Sequence, residues 1–415
     1  MFHTIRKAFV FHPNPQKIYT DIVSTFHRFR CPKYSAAVTG TNGKTSVVDF
    51  CYQMWQHAGY KAASVGTFGI HINTERKICS DILTTPDQCE LYPALRKINK
   101  ESIEHLVLEA SSHGLAQHRI HGLKVNIAAF TNLSSEHLDY HKNINKYFEA
   151  KKRLFCEILS EEGVAILNTH TDEFSVLFDI AKKRGNKIIT YGKKNSNITL
   201  LKQTPTQNGQ YLIIKIYNRI LNVFFPVLGK FQAYNLLCAI GIIISSGVSY
   251  KEICINKLIS PPGRMERVNS FTFIDYAHSA EALRQVLLSL KWHFRKRIIL
   301  VFGCGGNRDK YKRYEMGNVA QKYADKVIIT DDNPRNEDPA KIRNNILLNC
   351  PTALEIGCRK KAIEGGIDIA YNEGMILLIA GKGHEVTQII RNNTYKFSDT
   401  EIAMNYLKKL NNYNL

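Results

Sequence analysis

Residues 34–58 of this chain read YSAAVTGTNGKTSVVDFCYQMWQHA. The apolar run Tyr34–Thr39 predicts a buried strand, and apolar residues at helical spacing over Thr45–Ala58 predict a helix. The loop between them is Gly40-Thr41-Asn42-Gly43-Lys44-Thr45. Its backbone N–H groups, the helix start and the Lys44 ammonium can bind a phosphate, and the Thr45 hydroxyl can hold Mg²⁺. We therefore predict a nucleotide-phosphate site here; the alternative is a glycine-rich turn with a structural role only.

Strand-like and helix-like segments alternate along the rest of the chain, which favours an α/β fold of mainly parallel sheets covered by helices on both faces. Before residue 260 the further predicted elements are the strands His105–Ala110, Asn126–Leu133, Val164–Asn168 and Lys187–Tyr191, a hairpin of Tyr211–Tyr217 and Leu221–Val227, and the helix Gln232–Ser245. Pro261-Pro262-Gly263 predicts a domain boundary. Beyond it the predicted elements are the strands Phe271–Tyr276, Arg297–Gly303, Lys326–Thr330 and Met375–Ala380 and the helices Ala280–Leu290, Arg313–Ala324, Pro339–Leu348 and Glu401–Leu410. We predict a leader at residues 1–33, a central phosphate-loop ATPase domain at 34–262 and a Rossmann-like α/β domain at 263–415.

Composition limits the classes of protein to which the chain can belong. Its 415 residues suggest two or three domains, and 44% apolar and 22% charged residues argue against wholesale disorder. There are 56 Lys and Arg against 36 Asp and Glu, so a net charge of +20 either attracts anionic partners or reflects composition alone. The ten cysteines form no Cys-x-x-Cys pair, which argues against a zinc knuckle or a disulfide framework and fits a reducing cytoplasm. We find no apolar stretch long enough to cross a bilayer and no secretory signal in residues 1–13.

Candidate ligands follow two predicted strands of the first half. Glu109 ends the strand His105–Ala110, where parallel sheets bind ligands, and it could ligate Mg²⁺ or serve as a helix cap or an ion-pair partner. The adjacent Ser111-Ser112-His113 could hydrogen-bond an anion. His137 follows the next strand, and its spacing from His141 suits one helical face. Zinc is therefore an alternative to a structural histidine, although no third ligand is evident.

Polar clusters also follow the predicted strands of the second half. They are Asp275-Tyr276-Ala277-His278, Gly303–Arg308, Asp332-Asn333-Pro334-Arg335 and Gly381-Lys382-Gly383-His384-Glu385. A dinucleotide fingerprint requires glycine where Arg308 stands, so we reject that cofactor; the Arg308 fork could instead pair with a carboxylate or phosphate. The Asn333 amide and the Arg335 fork suit an amino-acid head group, and Glu385 suits an ammonium. Each cluster alone could be a surface turn, but four at successive strand ends indicate a site.

Together these motifs resemble the Mur ligase family from about Tyr34 to the C-terminus. The resemblance is closest to members that add the third residue of the peptidoglycan stem peptide. The motifs that carry it are TGTNGKT (Thr39–Thr45), LTTPD (Leu83–Asp87), LEASSHGL (Leu108–Leu115), FTNLSSEHLDYH (Phe130–His141), AKKRLF (Ala150–Phe155), LGKFQAYN (Leu228–Asn235), PGRME (Pro262–Glu266), DYAH (Asp275–His278), GCGGNRDK (Gly303–Lys310), DNPRNEDP (Asp332–Pro339) and GKGHE (Gly381–Glu385).

The resemblance implies a role for each site residue. Gly40–Thr45 would bind ATP, and Thr45, Glu109, His137 and Lys151 would hold Mg²⁺, with Lys44, His137 and Lys151 catalytic. The run Ala150–Arg153 alone predicts a solvated helix face, but Lys151 matches the family's carbamylated lysine, whose carbamate supplies an anion for a second Mg²⁺. The other implied contacts are with the nucleotide (Asn235, Arg264 and Asp275), with a UDP-muramoyl dipeptide (Thr84, Thr85, Ser111 and Arg119) and with the incoming amino acid (Arg308, Asn333, Arg335, Gly381 and Glu385).

The implied activity is ATP-dependent, ADP-forming addition of an amino acid to UDP-N-acetylmuramoyl-L-Ala-D-Glu through an acyl phosphate. The resemblance further implies a cytoplasmic monomer without nucleic-acid or membrane partners. The DNPR form resembles that of members selecting meso-2,6-diaminopimelate, because the Arg335 fork would pair with its distal carboxylate and face L-lysine unpaired. The alternatives are an L-lysine-adding variant, a non-catalytic nucleotide-binding remnant and a nucleic-acid-binding ATPase, for which we find no basic–aromatic module.

The chain differs from the family pattern at its N-terminal end. Members of the family carry an N-terminal domain that binds the uridine end of the substrate, whereas about a leader's length precedes the phosphate loop here. We expect that this domain is lost, that another protein supplies it, or that the true start lies upstream.

Overall fold

The computed structural model describes residues 31–73, 75–77, 83–192 and 194–413, so the predicted leader lies almost wholly outside the described residues. The chain forms two compact units. The first extends to Gln203 and includes Tyr211–Phe225 and Gln232–Ile259, and the second comprises Thr204–Gln210, Pro226–Phe231 and Ser260–Leu415. None of the helices in these described ranges is long and apolar enough to span a membrane.

The larger sheet belongs mainly to the first unit. Its described strands are β1 (Tyr34–Thr39), β2 (Ala62–Gly66), β3 (Gly69–Ile72), β4 (Glu75–Lys77), β5 (His105–Glu109), β6 (Val125–Phe130), β7 (Leu159–Asn168), β8 (Lys187–Gly192), β9 (Ile198–Thr206), β10 (Gly209–Ile216) and β11 (Arg219–Phe225). They lie in the order β11-β10-β9-β8-β7-β6-β1-β5-β2-β3-β4. The strands from β9 through β2 pair in parallel, whereas β3 is antiparallel to β2 and to β4. The carboxyl ends of β1, β5 and β6 therefore meet at one edge of the sheet.

Helices cover this sheet and set the position of the phosphate loop. They are α1 (Lys44–His57), α2 (Gln88–Lys100), α3 (Ser112–Ala116), α4 (Leu138–His141), α5 (Ile144–Arg153), α6 (Phe174–Lys183) and α7 (Gln232–Ser245), with a π-helical turn at Leu154–Ile158. Helix α1 is pinned at its end, because the indole of the fully buried Trp55 donates a 2.9 Å hydrogen bond to Ser246 Oγ just after α7. The helix that follows the phosphate loop is thus a rigid part of the core.

The smaller sheet lies in the second unit. Its strands are β12 (Glu266–Arg267), β13 (Thr272–Asp275), β14 (Ile298–Phe302), β15 (Lys326–Ile329), β16 (Leu354–Glu355) and β17 (Ile376–Ala380), in the order β12-β13-β17-β14-β15-β16. All pairs except β12–β13 are parallel. The flanking elements are α8 (Ala280–Phe294), α9 (Tyr311–Tyr323), α10 (Pro339–Leu347), α11 (Arg359–Glu373), the hairpin β18 (Thr387–Ile390) and β19 (Asn393–Lys396), and α12 (Asp399–Tyr413). The four polar clusters predicted in this half therefore follow four neighbouring parallel strands.

The predicted α/β fold class is confirmed, and most predicted elements differ from the structure only at their ends. The largest difference is β7, which begins at Leu159 rather than Val164. The sequence prediction did not include helix α11, in whose middle lie Gly365 and Gly366. Glycine opposes helix formation, so the local sequence indicates this helix only weakly. A Cβ at Gly366 would lie 2.8 Å from Val301 Cγ2, so glycine is needed there for α11 to pack on β14.

A buried ion pair joins the two helices α11 and α12. Arg359 donates from Nε to Asp399 Oδ1 at 2.8 Å and from Nη2 to Asp399 Oδ2 at 2.7 Å, and both side chains are fully buried. Nη2 also donates to Ala380 O at 3.0 Å, which ties the pair to the end of β17. The arginine thus satisfies both a buried carboxylate and a strand-end carbonyl.

Arg359→Met is expected to destabilise the protein by about 3–5 kcal/mol, because it leaves the Asp399 carboxylate buried without its counter-charge. Urea unfolding would measure the change. Arg284→Met removes a partly exposed pair with Glu281 on α8 and should cost about 1 kcal/mol or less. Equal losses for the two variants would contradict this assignment.

Candidate active site

The end of strand β6 holds the phosphate loop in place. The loop donates from Thr41 N to Asn132 O at 2.8 Å and from Asn42 N to Asn132 Oδ1 at 2.9 Å, and the Thr131 hydroxyl donates to Asn42 O at 2.7 Å. Gly40 has a φ of 148°, and a Cβ there would lie 1.9 Å from Thr131 Oγ1. Sequence reasoning missed Thr131 and Asn132, although their place at the end of a strand beside β1 was an available signal.

The predicted nucleotide contact Asn235 lies against the same loop. Gly43 caps α1 with a φ of 89°, and a Cβ on it would lie 2.3 Å from Asn235 Oδ1. The Asn235 amide donates to Gln232 Oε1 at 2.8 Å, so its carbonyl oxygen is turned toward the loop. These groups are almost two hundred residues apart in sequence, and the packing of α7 on α1 brings them together.

Two lysines converge on one carbonyl of the loop. Lys44 Nζ donates to Gly40 O at 2.9 Å and to Thr41 O at 2.7 Å, and Lys151 Nζ donates to Gly40 O at 2.7 Å. Lys151 is 1% exposed, and its ammonium lies 4.3 Å from the centre of the Tyr147 ring. The interpretation of Lys151 as part of a solvated helix face is therefore wrong, because α5 turns this position toward the loop.

The surroundings of Lys151 favour its neutral amine. Burial lowers the pKa of Lys151 well below its usual value, and the nearby Lys44 charge lowers it further, while Glu136 opposes the shift. Burial also lowers the pKa of His141 to about 4, with His113 and Lys151 adding to the effect. A neutral amine is the form that attacks CO₂, so this environment suits a lysine that is to be carbamylated.

Thr45 and Glu109 form an oxygen-rich group at the start of α1. The Thr45 hydroxyl donates to Glu109 Oε2 at 3.0 Å, and Thr67 N donates to Glu109 Oε1 at 2.8 Å. Glu109 is 1% exposed. Hydroxyl and carboxylate oxygens are what Mg²⁺ prefers, and such sites commonly add only one or two carboxylates to the nucleotide phosphates. The donor set therefore fits Mg²⁺ beside the phosphate loop.

Glu109→Gln is expected to lower ATP-dependent activity by about a hundredfold and to raise the Mg²⁺ concentration needed for half-maximal rate, because a neutral amide is a weaker ligand for a hard cation. Activity titrated with Mg²⁺ would measure both effects. Glu104→Gln, at the exposed position just before the same strand, is the matched control and should behave as the unchanged protein. An unaltered Mg²⁺ titration for Glu109→Gln would refute the assignment.

His137 lies among aromatic rings, one of which, Tyr147, also contacts Lys151. Its ring is 4.9 Å from that of His113 and 6.1 Å from that of Tyr147, and His113 is 5.4 Å from His141. The residue adopts a left-handed φ of 57° where α4 begins. The described residues contain no set of three His, Cys, Asp or Glu side chains placed to hold a metal ion, so the zinc alternative finds no third ligand there.

Three of the predicted dipeptide contacts are linked by hydrogen bonds next to the backbone of Glu109. Thr85 Oγ1 donates to Glu109 O at 2.8 Å and lies 2.9 Å from Ser111 Oγ, which caps α3. Arg119 Nη1 donates to Thr85 O at 2.8 Å. Thr84 precedes this group and is partly exposed. Thr85 and Arg119 are thus held by the protein itself, which fixes the shape of the surface that Thr84 and Ser111 present.

The remaining predicted nucleotide contacts, Arg264 and Asp275, lie together in the second unit. Asp275 accepts hydrogen bonds at 2.7 Å from the N–H groups of Met265 and Ala277. Burial raises the pKa of Asp275, and the nearby Arg264 charge opposes that shift. Arg264 stacks over the Tyr276 ring at 4.4 Å. The structure thus joins these two residues into one local group.

The five predicted amino-acid contacts are assembled from three loops of the second unit. Asn333 Nδ2 donates to Glu385 Oε2 at 2.9 Å, and Arg335 Nη1 donates to Gly306 O at 2.9 Å. Burial lowers the pKa of Arg335, and the nearby Arg308 charge contributes to the shift. A Cβ at Gly381 would lie 3.1 Å from Asp332 Oδ2, so this glycine permits close approach of the loops after β15 and β17. Opposite charges thus face each other across a small polar cluster.

Comparison with known proteins identifies the family. A sequence model of the Mur ligase middle domain matches residues 38–243, and one of the Mur ligase glutamate ligase domain matches residues 263–383. The chain belongs to the Mur ligase family. The family predicted from the motifs is therefore confirmed.

Two named relatives and one solved structure of another protein match this Mur ligase over most of its length. It is 44% identical over 399 residues to the UDP-N-acetylmuramoyl-L-alanyl-D-glutamate–2,6-diaminopimelate ligase of Anaplasma marginale (strain St. Maries), covering 96% of this chain and 84% of the relative. It is 38% identical to the protein of that name from Caulobacter vibrioides, covering 91% and 80%. A solved structure of a ligase with this name shares 32% identity at a TM-score of 0.66, covering 96% of this chain and 82% of the other.

A more distant structure shares only the fold. A folylpolyglutamate synthase of Mycobacterium tuberculosis has a TM-score of 0.73 at 16% identity and covers 99% of this chain. The likeness in architecture at so low an identity supports the α/β fold and carries no information about the substrate.

Proposed function

We propose that this Mur ligase joins meso-2,6-diaminopimelate to UDP-N-acetylmuramoyl-L-Ala-D-Glu in peptidoglycan synthesis, with cleavage of ATP to ADP and phosphate. Relatives that carry this activity in their names span nearly the whole chain. The observation that carries the proposal is the polar cluster of Arg308, Asn333, Arg335 and Glu385. It offers guanidinium forks to a carboxylate and a carboxylate to an ammonium, the two charged groups at the distal end of diaminopimelate.

The first chemical step joins two anions, so the site must neutralise charge. The γ-carboxylate of D-Glu attacks the γ-phosphorus of ATP; a carboxylate oxygen–phosphorus bond forms, the bond to ADP breaks, and an acyl phosphate results. Lys44, the N-terminus of α1 and the loop N–H groups would bind the phosphates, and Lys44 already lies on the Gly40 carbonyl of that loop. Mg²⁺ held by Thr45 and Glu109 would supply further positive charge to the phosphate oxygens. A carbamate on Lys151 would add an anionic ligand for a second Mg²⁺.

The second step exchanges phosphate for nitrogen. The amine of the incoming amino acid attacks the acyl carbon, phosphate leaves with the bridging oxygen, and the nitrogen loses a proton. The polar cluster in the second unit would bind and orient this amino acid, because its charges match those of the distal end. The two steps together form the amide at the cost of one phosphoanhydride.

An isotope experiment tests this order of steps. With the D-Glu γ-carboxylate labelled with ¹⁸O, the released phosphate should carry one ¹⁸O atom, which mass spectrometry would detect. Unlabelled phosphate released with amide formation would exclude the acyl phosphate. ATP binding without any turnover in the presence of all substrates would favour the non-catalytic remnant instead.

This proposal also includes ATP and Mg²⁺ as the cofactors, a monomeric state, a cytoplasmic location and the absence of nucleic-acid and membrane partners. The roles of individual site residues and the three-part division of the chain remain predictions as well. The cofactors, the oligomeric state and the residue roles can be tested on the purified full chain.

A further inference from the structure

Lys382 is a buried cation inside the polar cluster, and no prediction from the sequence gave it a role. Its side chain is fully buried two residues after β17. Its ammonium donates to Thr387 O at 2.7 Å, to Glu385 Oε2 at 2.9 Å and to Asn333 Oδ1 at 3.1 Å. An ammonium has three N–H donors, so all of them are used within the protein.

Burying this charge is expensive, which argues against a purely structural role. Removing an ammonium from water costs several kcal/mol, and replacing a whole buried ion pair by apolar side chains of similar size often gives equal or greater stability. Lys382 pairs with Glu385, whose side chain is 28% exposed and therefore reaches the surface of the cluster. The buried cation thus acts on a carboxylate that a ligand can contact.

Lys382 fixes which way the Asn333 amide points. Asn333 Oδ1 accepts from Lys382 Nζ and, at 3.0 Å, from Ile389 N, while Nδ2 donates to Glu385 Oε2 at 2.9 Å. Because Lys382 and the Ile389 N–H can only donate, the amide oxygen must face them. The amide N–H groups are therefore directed toward Glu385 and its surroundings.

Lys382 also determines which groups pair with the Glu385 carboxylate. Arg335 interacts electrostatically with Glu385, as well as with Arg308, Asp332 and Tyr276. Glu385 Oε2 nevertheless accepts hydrogen bonds from Lys382 and Asn333. Arg335 Nη1 donates instead to the backbone oxygens Gly306 O and Asn333 O. A direct pair between Arg335 and Glu385 would occupy both groups that the carboxylate and the ammonium at the distal end of the amino acid require.

We propose that Lys382 is a positioning residue that holds the Glu385 carboxylate and the Asn333 side-chain amide away from the Arg335 guanidinium, so that a carboxylate and an ammonium on one ligand can bind side by side. This inference rests on the proposed function, because the ligand is the amino acid that the ligase adds. Lys382 does not contact the ligand in this scheme; it acts through Glu385 and Asn333.

Steady-state kinetics of the full chain test the proposal. Lys382→Met should raise the KM for meso-diaminopimelate by about tenfold or more, because Glu385 then pairs with Arg335. The KM values for ATP and for UDP-N-acetylmuramoyl-L-Ala-D-Glu should stay within about twofold. Arg184→Met is the matched control, since it removes a cation that bonds the carbonyls of Cys156 and Leu159 in the other unit; it should leave all three KM values unchanged.

A double-variant comparison shows whether Lys382 acts through Glu385. Added to Glu385→Gln, the Lys382→Met change should lower kcat/KM for the amino acid by clearly less than it does alone, because one of the two groups through which Lys382 acts is already altered. Fully additive losses would overturn the proposal, as would an unchanged KM or an equal rise in the KM of all three substrates.

Two further outcomes are decisive. If Lys382→Met does not fold, Lys382→Gln is measured in the same way, and failure of both variants to fold would assign Lys382 a structural role and refute the proposal. Absence of ligation by the unchanged protein with any amino acid would instead refute the proposed function. The two failures are therefore distinguishable.

Discussion

Lys151→Ala is expected to lower the ligation rate by about a thousandfold, and a short-chain carboxylic acid should restore part of that rate. The lysine amine lies buried on the Gly40 carbonyl beside the Lys44 ammonium. A carbamate at this place converts a neutral amine into an anion that attracts the Lys44 ammonium and can bind Mg²⁺. Alanine leaves a space, and a small carboxylate can enter it and supply the missing anion.

Ligation measured across a series of formate, acetate and propionate concentrations would test the rescue. Lys152→Ala is the matched control, because the next residue on α5 pairs with Glu149 at the surface and should leave activity within about twofold. Full activity of Lys151→Ala without added acid would contradict the carbamate role. Loss of activity with no rescue by any acid would leave Lys151 as a direct phosphate contact and contradict it too.

Arg335→Ala is expected to lower kcat/KM for meso-diaminopimelate by about a hundredfold or more and to lower the preference over L-lysine by at least that factor. Arg335 is half-buried, and its guanidinium is held by Gly306 O at 2.9 Å. Its loss removes the partner for the distal carboxylate. It also removes an unpaired charge that would oppose L-lysine, so the two substrates are affected in opposite senses.

Competition between the two amino acids, with the products separated by mass spectrometry, would measure the change in preference. Arg391→Ala is the control: its N–H bonds Arg335 O at 2.7 Å, but its side chain is exposed. It should retain the preference of the unchanged protein. A preference that survives Arg335→Ala would show that another group selects the amino acid.

Local patterns in the sequence were enough to predict the elements that carry the site. The strand Tyr34–Thr39 and the helix Gln232–Ser245 have the predicted bounds, because each is a strongly apolar segment ended by glycine or polar residues. The phosphate loop followed from its position between a strand and a helix. Glu109 and Asn333 lie at or just after the carboxyl ends of parallel strands in two different sheets, where such sheets bind ligands.

The remaining features depend on contacts between distant residues. Lys151 lies in a run of charged residues that alone predicts a solvated helix face, and only the packing of α5 buries it. Lys382 is flanked by two glycines that predict a loop, and nothing local shows that its ammonium bonds Asn333. The Arg359–Asp399 pair joins residues forty positions apart, one of them in a helix that the sequence analysis missed. Such pairings are set by tertiary structure and leave no periodic signal.

The most direct measurement is amide formation by the purified chain with ATP, Mg²⁺, UDP-N-acetylmuramoyl-L-Ala-D-Glu and either meso-diaminopimelate or L-lysine. Phosphate release and the mass of the nucleotide product would be recorded together. We predict one phosphate released for each tripeptide formed, with meso-diaminopimelate strongly preferred. Faster ligation of L-lysine would contradict the role of Arg335, and phosphate release with neither product would contradict the ligase itself.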